Sequence, residues 1–273
     1  MPELPEVEVC RRNLQRWTTG QRLTGVSLLD PRCIRSRAST RPSDGHPGAE
    51  AEAHKWIQQL AGPPTRHGKR IGWNFGDHGV LIHLGMTGNW HRQSAPPRYA
   101  KLGLHFESCN LWFTDLRRFG CLWPLPASSI EMELRKGHGP DALHDPPDAS
   151  TLAQSFQTRK PIKVALLDQH RLAGIGNILA AEALWRAQIH PSVPANTLHS
   201  SQWARLSESL LSVVLDTIEA EDGNTITYIN EGGSNPFSVY ARAQMPCPRC
   251  EHPIHKMAQA GRTTFFCPTC QPS

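Results

Sequence analysis

The chain has 273 residues, of which 38% are hydrophobic, enough to build one large domain or two modest ones around a packed core. Lys and Arg outnumber Asp and Glu by 29 to 24, and the resulting formal charge of +5 is compatible with a polyanionic partner without establishing one. The chain has no run of about 18 consecutive apolar residues and no apolar signal segment at its N-terminus. We therefore expect a cytoplasmic protein that neither spans nor is anchored in a membrane.

The N-terminal half reads as one helix followed by short strands. Residues 6–17 carry apolar side chains at helical spacing, and Gly20 is the stop signal. A segment rich in Pro, Gly, Ser and Ala, residues 37–52, is predicted to be an exposed loop. Five alternating or apolar runs predict strands at Arg22–Leu29, Arg70–Phe75, Gly79–Leu84, Lys101–Glu107 and Asn110–Leu116. This half is therefore expected to be a helix plus an antiparallel β-sandwich or flattened barrel.

The C-terminal half reads as helical and ends in a cysteine-rich module. After a Pro-rich transition, one helix is expected to end near Asp168, and others are expected at residues 177–188 and from Ser200 or Ser201, as cap, to Gly223. The predicted division is a β-sandwich domain at 1–125, a linker at 126–150, a helical domain at 151–236 and a finger at 237–273. The fold class is therefore α+β and multidomain.

The cysteines separate into two groups. Four are scattered and are expected to be small, mostly buried hydrophobic side chains: Cys10, Cys33, Cys109 and Cys121. The other four follow the pattern C-x2-C-x16-C-x2-C, which in a cytoplasmic protein predicts one structural Zn²⁺ rather than disulfides: Cys247, Cys250, Cys267 and Cys270. The segment between the two pairs must then form a hairpin with Arg262 near its tip, where that side chain is either simply exposed or available to a phosphate.

The first residues can be interpreted in two ways. Removal of Met1 would leave Pro2 with a secondary α-amine, of which roughly a third is neutral at pH 7.5 because α-amino groups titrate near pH 8. Such an amine can attack an aldehydic carbon and form an iminium, with Glu3 as the neighbouring acid or base. Alternatively, Pro2 and Pro5 simply open a helix.

Three other motifs allow both a structural and a functional interpretation. His-Leu-Gly-Met-Thr-Gly at 83–88 places Met86 in a glycine turn, either as a buried side chain or as a wedge between bases. Asp-Leu-Arg-Arg-Phe-Gly at 115–120 is either an exposed corner or a loop that enters a duplex. Lys69 lies in a basic turn, either solvated or near a phosphate or sugar.

A fourth motif links two predicted helices. Gly-Ile-Gly-Asn at 174–177 follows Lys163 and two other basic residues. Glycines allow backbone N–H groups to approach a ligand closely, and helix N-termini attract phosphate. This segment is therefore either an ordinary turn or a clamp for the DNA backbone.

Taken in order, these motifs resemble the formamidopyrimidine-DNA glycosylase family, which is related to endonuclease VIII. The resemblance rests on Pro-Glu-Leu-Pro-Glu at the N-terminus, the motifs at 83–88, 115–120 and 174–177, and Gly-Arg-Thr-Thr-Phe-Phe-Cys-Pro-x-Cys-Gln near the end. It extends from residue 2 to about residue 271. Leu4-Pro5 favours the formamidopyrimidine branch, since endonuclease VIII typically has Gly at the Leu4 position.

The resemblance implies a bifunctional glycosylase and lyase that excises oxidised purines from double-stranded DNA by base-excision repair. It implies a helix–two-turn–helix domain, a β-hairpin zinc finger, a monomer and a location at the bacterial nucleoid. Its implied catalytic residues are Pro2 as nucleophile, Glu3, Lys69 and Arg262, with Glu6 as a supporting carboxylate. Its implied DNA contacts are Met86, Tyr99, Arg117, Phe119, Lys163 and Asn177.

The chain also departs from the family pattern. The segment Thr225–Ser238 is shorter than the stretch that usually covers flipped 8-oxoguanine, so oxidised pyrimidines are an alternative substrate class. Tyr99 and Lys101 lie where a phosphate-binding His is usual, and His170 lies where some members have Lys. A zinc-containing DNA-binding protein without catalysis is the alternative from another class.

Overall fold

The structure is a computed structural model, and it describes residues 2–36, 45–221 and 235–272. The chain divides into two compact units, of which the first runs from Met1 to Lys136 and the second begins at Gly137. Among the residues that the structure describes, no helix has both the length and the apolar character needed to span a bilayer.

The first unit is a β-sandwich preceded by a helix. Its helices are α1 (Leu4–Thr18), α2 (Ala49–His54) and α3 (Ile130–Arg135). Its strands are β1 (Leu23–Leu28), β2 (Thr65–His67), β3 (Arg70–Phe75), β4 (His78–His83), β5 (Asn89–Arg92), β6 (Ala100–Phe106), β7 (Asn110–Thr114) and β8 (Cys121–Pro126). They form two antiparallel four-stranded sheets, ordered β1-β6-β7-β5 and β2-β3-β4-β8.

Aromatic side chains fill the space between the two sheets. The Trp73 ring of β3 lies 6.1 Å from the rings of both Trp90 on β5 and Phe106 on β6. Since β3 belongs to one sheet and the other two strands to the second, these contacts place the core between the sheets. The predicted helix and antiparallel sandwich are therefore confirmed.

The five predicted strands are all present, β3 with the predicted ends and the other four with slightly different ones, but three strands and the helix α2 were not predicted. Sequence patterns did not predict β2, β5 and β8, which are short or contain Pro. The expectation of an exposed loop at 37–52 is wrong for its last four residues, because they begin α2, with Ala49 buried. Residues 37–44 lie outside the described residues. Within the predicted linker at 126–150, Ile130 of α3 packs so close to β3 that a Cβ added at Gly72 would lie 2.4 Å from its side chain.

The second unit is helical and ends in a hairpin. Its helices are α4 (Ala149–Ser155), α5 (Ile162–Ala165), α6 (Asn177–Arg186) and α7 (Ser200–Glu221), and the hairpin consists of β9 (His255–Gln259) and β10 (Arg262–Phe266). The helix expected to end near Asp168 is α5, and it stops three residues earlier. Ser200 and Ser201 are helical rather than caps, and the Gln202 side chain instead accepts the His199 N–H at 2.9 Å. The predicted end of α7 at Gly223 lies outside the described residues.

Candidate functional site

The N-terminal segment buries two carboxylates beside Pro2. Pro5, not Pro2, occupies the first turn of α1, and Glu3 is the residue that caps this helix. The Glu3 N–H donates to Glu6 Oε2 at 2.9 Å, and the Glu6 N–H returns a hydrogen bond to the Glu3 side chain in a capping box. Pro2 is buried, and Glu3 and Glu6 have exposed fractions of 1% and 8%. The helix-opening interpretation therefore applies to Pro5 and leaves Pro2 in front of the helix.

Glu6 has an unusual pKa for a carboxyl group. Burial, and secondarily the nearby Glu3 charge, raises the pKa of Glu6 to about 7, although backbone hydrogen bonds act in the opposite direction. A carboxyl group that titrates near neutral pH can give or take a proton under physiological conditions. The start of α1 therefore places a carboxyl group that titrates near neutral pH four residues after Pro2.

Glu8 on the same helix is the opposite case. Burial opposes its ionisation, but hydrogen bonds and charges from Arg11 and Arg66 hold its pKa at about 2. The fully buried Arg66 of β2 lies 2.9 Å from Glu8 Oε2 and also donates to the Gly68 carbonyl at 2.9 Å. This ion pair ties α1 to the β2–β3 turn that carries the half-buried Lys69.

A buried carboxylate, Asp115, holds two loops of the sandwich together. Its Oδ1 accepts from the Thr87 hydroxyl at 2.5 Å and from the Arg117 N–H at 3.1 Å, and its Oδ2 accepts from the Gly120 N–H at 2.6 Å. The Arg117 N–H also donates to the Thr87 hydroxyl oxygen at 3.1 Å. The loops 84–88 and 115–120 are thereby fixed to each other. We call them, with their Asp115 contacts, the paired loops.

The backbones of the paired loops also approach each other very closely. Gly85 has a φ of +67°, and a Cβ added there would lie 2.4 Å from the Gly120 nitrogen and 2.5 Å from the Phe119 carbonyl carbon. Only Gly meets both requirements, because it tolerates positive φ and lacks a Cβ. Gly85 is therefore needed for this contact.

The paired loops present the side chains that the sequence singled out. Met86 is half-buried, whereas Arg117 is exposed and Phe119 is 42% exposed. The Arg117 guanidinium lies over the Phe119 ring, 5.1 Å from its centroid. Tyr99 lies beside these loops, because its carbonyl accepts the Asp115 N–H at 3.3 Å. The structure thus brings together all four DNA-contact residues predicted in the first unit.

In the second unit, Asn177 connects Lys163 to the hairpin. Lys163 is fully buried, and its Nζ donates to Asn177 Oδ1. Asn177 Nδ2 in turn donates to the Thr263 carbonyl of β10 at 3.0 Å. Arg262, the neighbour of Thr263, is exposed at the start of β10, as predicted for the hairpin. Lys163 thus lies behind Asn177, and its predicted phosphate contact stays a prediction.

The turn that precedes Asn177 is held by a glutamine that the sequence analysis did not single out. Gln169 Nε2 donates to the Ile175 carbonyl at 2.7 Å, and Gln169 Oε1 accepts the Gly174 N–H at 3.0 Å. Gly174 has a φ of +105°, which favours glycine. Turn residues of this kind are difficult to predict, because the hydrogen bonds depend on how the chain between Gln169 and Ile175 folds back on itself.

The four C-terminal cysteines satisfy the geometry of a zinc site. Their sulfur atoms all lie within 4.8 Å of one another, and two of the pairs are separated by 3.9 Å (Cys247 and Cys270) and 3.4 Å (Cys250 and Cys267). Four thiolates about 2.3 Å from a tetrahedral Zn²⁺ would be roughly 3.8 Å apart. Burial opposes ionisation of Cys247, but the N–H groups of Arg249 and Cys250 lower its pKa to about 6. The donor set therefore fits a structural Zn²⁺.

The finger is attached to α6 by polar and apolar contacts. The buried Glu182 carboxylate accepts three backbone N–H groups, from Ser238, Val239 and Tyr240, at 2.8 to 2.9 Å. The Arg249 guanidinium lies 4.3 Å from the centroid of the Trp185 ring. Since α6 begins at Asn177, these contacts fix the finger against the helix whose first residue is the predicted phosphate ligand.

Comparisons with known proteins give the same assignment along the whole chain. Three family models match: the formamidopyrimidine-DNA glycosylase N-terminal domain at 1–122, the formamidopyrimidine-DNA glycosylase H2TH domain at 138–229, and a zinc finger found in FPG and IleRS at 246–272. The chain belongs to the formamidopyrimidine-DNA glycosylase family. It is therefore a DNA glycosylase of base-excision repair, with a structural Zn²⁺ in its finger.

Relatives in this glycosylase family match the chain from end to end. The formamidopyrimidine-DNA glycosylase of Salinispora arenicola is 36% identical over 291 residues, covering 100% of this chain and 96% of the relative. That of Chloroflexus aurantiacus is 35% identical over 286 residues, covering 99% and 98%.

Solved structures of glycosylases also match the chain from end to end. A complex of MutM with DNA containing carbocyclic 8-oxo-G has a TM-score of 0.86 and 28% identity, with 100% of both chains covered. The Lactococcus lactis Fpg (MutM) in complex with DNA containing an oxidised pyrimidine gives the same values. The neighbours thus include complexes with both purine and pyrimidine lesions.

Proposed function

We propose that this glycosylase removes oxidised purines, formamidopyrimidines and 8-oxoguanine, from double-stranded DNA through a Schiff base on Pro2 and then cleaves the strand by β,δ-elimination. The observation that carries the proposal is the buried start of α1, where Pro2 precedes two hydrogen-bonded carboxyl groups and burial brings the pKa of Glu6 to about 7. Such a site provides a nucleophile next to one carboxyl group that can move a proton, Glu3, and a second that positions it, Glu6.

The chemistry begins with displacement of the damaged base. The lone pair of the Pro2 nitrogen attacks C1′, the glycosidic C1′–N bond breaks, and the base leaves with the proton that the Pro2 nitrogen loses. Glu3 protonates the sugar O4′ as the ring opens, which produces the iminium between Pro2 and C1′. Glu6 acts as a positioning carboxyl group, because it holds the Glu3 backbone rather than the sugar.

Strand cleavage follows from the iminium. The positive nitrogen acidifies C2′, so loss of a C2′ proton breaks the C3′–O bond and releases the 3′ phosphate. Loss of a C4′ proton then breaks the C5′–O bond and releases the 5′ phosphate, and water frees Pro2. Lys69 and Arg262 are proposed to assist β- and δ-elimination respectively. Zn²⁺ takes no part in these steps.

DNA recognition is assigned to groups away from the nucleophile. Met86, Arg117 and Phe119 are proposed to fill the space left by the flipped nucleotide, since they lie on the rigid paired loops. Asn177 is proposed to bind the DNA backbone, and Lys163 to support this contact through Asn177.

The proposed domain division assigns the chemistry to residues 1–125, DNA clamping to 151–236 and the finger to 237–273, with 126–150 as a linker. The three matching family models, at 1–122, 138–229 and 246–272, support the order of these three parts. We further propose that the protein acts as a monomer in the bacterial cytoplasm at the nucleoid. The bacterial origin of its relatives supports the bacterial setting.

Borohydride trapping tests the proposed nucleophile. Protein lacking Met1 should form a covalent adduct with an abasic duplex when the iminium is reduced. The matched control is the same chain with Met1 retained, in which the Pro2 nitrogen is an amide; it should bind the duplex but give no adduct. Intact mass establishes which species is present, and full activity with Met1 retained would disprove the assignment.

The preferred lesion is tested with defined oligonucleotides. Excision of formamidopyrimidine or of 8-oxoguanine opposite cytosine is expected. The short segment Thr225–Ser238, which lies largely outside the described residues, favours oxidised pyrimidines as the second candidate. Cutting of a pyrimidine lesion with no action on either purine lesion would overturn the proposed substrate class.

A further inference from the structure

Tyr99 occupies a backbone conformation that an aromatic residue rarely adopts. Its φ is +66°, in the left-handed region that favours glycine. The turn is closed by a hydrogen bond from the Ala100 N–H to the Pro97 carbonyl at 3.2 Å, and the Tyr99 carbonyl accepts the Asp115 N–H at 3.3 Å. Strain of this kind persists where the surrounding structure enforces it, often at sites of function. The turn is thus fixed to the paired loops while Tyr99 stays 40% exposed.

Arg98 and Tyr99 repeat the arrangement of Arg117 and Phe119. The Arg98 guanidinium lies 4.6 Å from the centroid of the Tyr99 ring, and the corresponding distance from Arg117 to the Phe119 ring is 5.1 Å. Both pairs combine an exposed aromatic ring with a cation, and both are attached to Asp115 through the backbone. Such pairs suit nucleic acid, because a base can stack on the ring while the cation attracts a phosphate.

Lys101, the other residue near the position of the usual phosphate-binding His, is not available in the same way. It has an exposed fraction of 8%, and its Nζ lies 3.7 Å from the buried Asp30 carboxylate. Positive charge at the outer surface of this turn therefore comes from Arg98.

We propose that Arg98 and Tyr99 form a second stacking pair, in which the Tyr99 ring packs on a DNA base next to the gap filled by Phe119 and Arg98 meets the adjoining phosphate. The pair extends the DNA-contact surface of the paired loops, and Tyr99 acts through its ring face rather than as a phosphate ligand. The inference rests on the proposed function, in which the paired loops enter the duplex.

Binding to a duplex with a tetrahydrofuran abasic analogue tests the pair without requiring chemistry. Tyr99→Ala should weaken binding about five-fold or more, as loss of base stacking does, with an unchanged salt dependence. Tyr99→Gly, which suits the positive φ, should show the same loss and excludes misfolding as its cause. Tyr99→Phe keeps the ring and should restore binding. Arg98→Gln should reduce the slope of log K against log salt by about 1.

Two substitutions elsewhere in the first unit provide matched controls. Leu60→Ala removes a side chain that is 51% exposed, and Arg135→Gln removes an exposed cation that pairs with Glu131. Neither should change affinity or salt dependence. A 2-aminopurine placed beside the analogue should be quenched by the wild type and Tyr99→Phe, but not by Tyr99→Ala.

Three outcomes would overturn the inference. An equal loss in Tyr99→Phe and Tyr99→Ala would show that the hydroxyl, and not the ring face, makes the contact. Affinity of Tyr99→Ala within two-fold of wild type would show that the ring does not contact DNA, and unquenched 2-aminopurine in the wild type would exclude stacking. Failure of the proposed function is distinguishable, because it would appear in the wild type as absence of the borohydride adduct.

Discussion

The two units hold the segments that we assign to DNA contact by different means. In the first unit, one buried carboxylate, Asp115, joins the paired loops through three backbone or hydroxyl donors. In the second, four thiolates suited to Zn²⁺ close the finger, and Asn177 ties its hairpin to α6. Loops that are held by several hydrogen bonds can lose one of them and stay in place, whereas a finger that is held by a metal ion unfolds when one ligand is removed. A single substitution at these groups should therefore loosen the paired loops of the first unit but unfold the finger of the second.

The largest effect is expected from breaking the zinc site. Cys250→Ser or removal of Zn²⁺ by a chelator should unfold the finger, because a structural Zn²⁺ contributes about 10 kcal/mol or more to folding. DNA affinity should fall at least about 100-fold, since Arg262 and the Thr263 contact would be lost. Zinc stoichiometry and binding to an abasic-analogue duplex measure both effects. Cys109→Ser is the matched control, and a finger that stays folded without metal would contradict the expectation.

Asp115→Ala should have the next largest effect. It leaves the Thr87 hydroxyl and the N–H groups of Arg117 and Gly120 without their carboxylate, at a cost of about 3 to 5 kcal/mol. Thermal unfolding should shift to lower temperature, and hydrogen exchange of the Arg117 and Gly120 amides should accelerate. The exposed Asp77→Ala is the control. Unchanged protection of these two amides would show that Asp115 does not hold the loops.

Glu6 should make the stability of the first unit depend on pH. Burial raises its folded-state pKa from 4.5 to about 7, so the folded protein binds more protons than the unfolded chain between these values. The stability contributed by protonated Glu6 is therefore fully present below pH 4.5. As the pH rises to 7, the free energy of unfolding falls by about 3 kcal/mol. Glu6→Gln should remove this loss, which urea denaturation at pH 5 and pH 8 measures. Equal pH dependence in wild type and variant would refute it.

The smallest effect is expected from Lys163→Met. The substitution removes the donor to Asn177 Oδ1, so the Asn177 amide should lose its fixed orientation at a cost of about 1 to 3 kcal/mol in DNA binding. Because Lys163 is buried, this loss should largely disappear in an Asn177→Ala background. Additive losses in the double variant would instead indicate that Lys163 contacts DNA independently.

The sequence predicted the units of the fold well but not the contacts that fix the site. The zinc ligands were found because a metal-binding turn places its cysteines at a fixed local spacing. The helix α1 and the hairpin between the cysteine pairs were likewise readable from short-range patterns. Strands such as β2 and β8 were missed, because they are short or contain Pro and are stabilised by pairing with β3 and β4.

The sequence by itself determined the family, the zinc ligand set and the presence of Pro2 ahead of a helix, because each depends on residue type and local order. Tertiary structure alone decided that Glu6 titrates near pH 7, that Glu8 stays ionised, that Lys163 lies behind Asn177 and that Asp115 joins two loops. Each of these properties depends on burial or on hydrogen bonds to other groups of the folded chain. Glu6 and Glu8, two residues apart on one helix, thus have pKa values shifted in opposite directions. Desolvation dominates at Glu6, whereas the two arginines together dominate at Glu8.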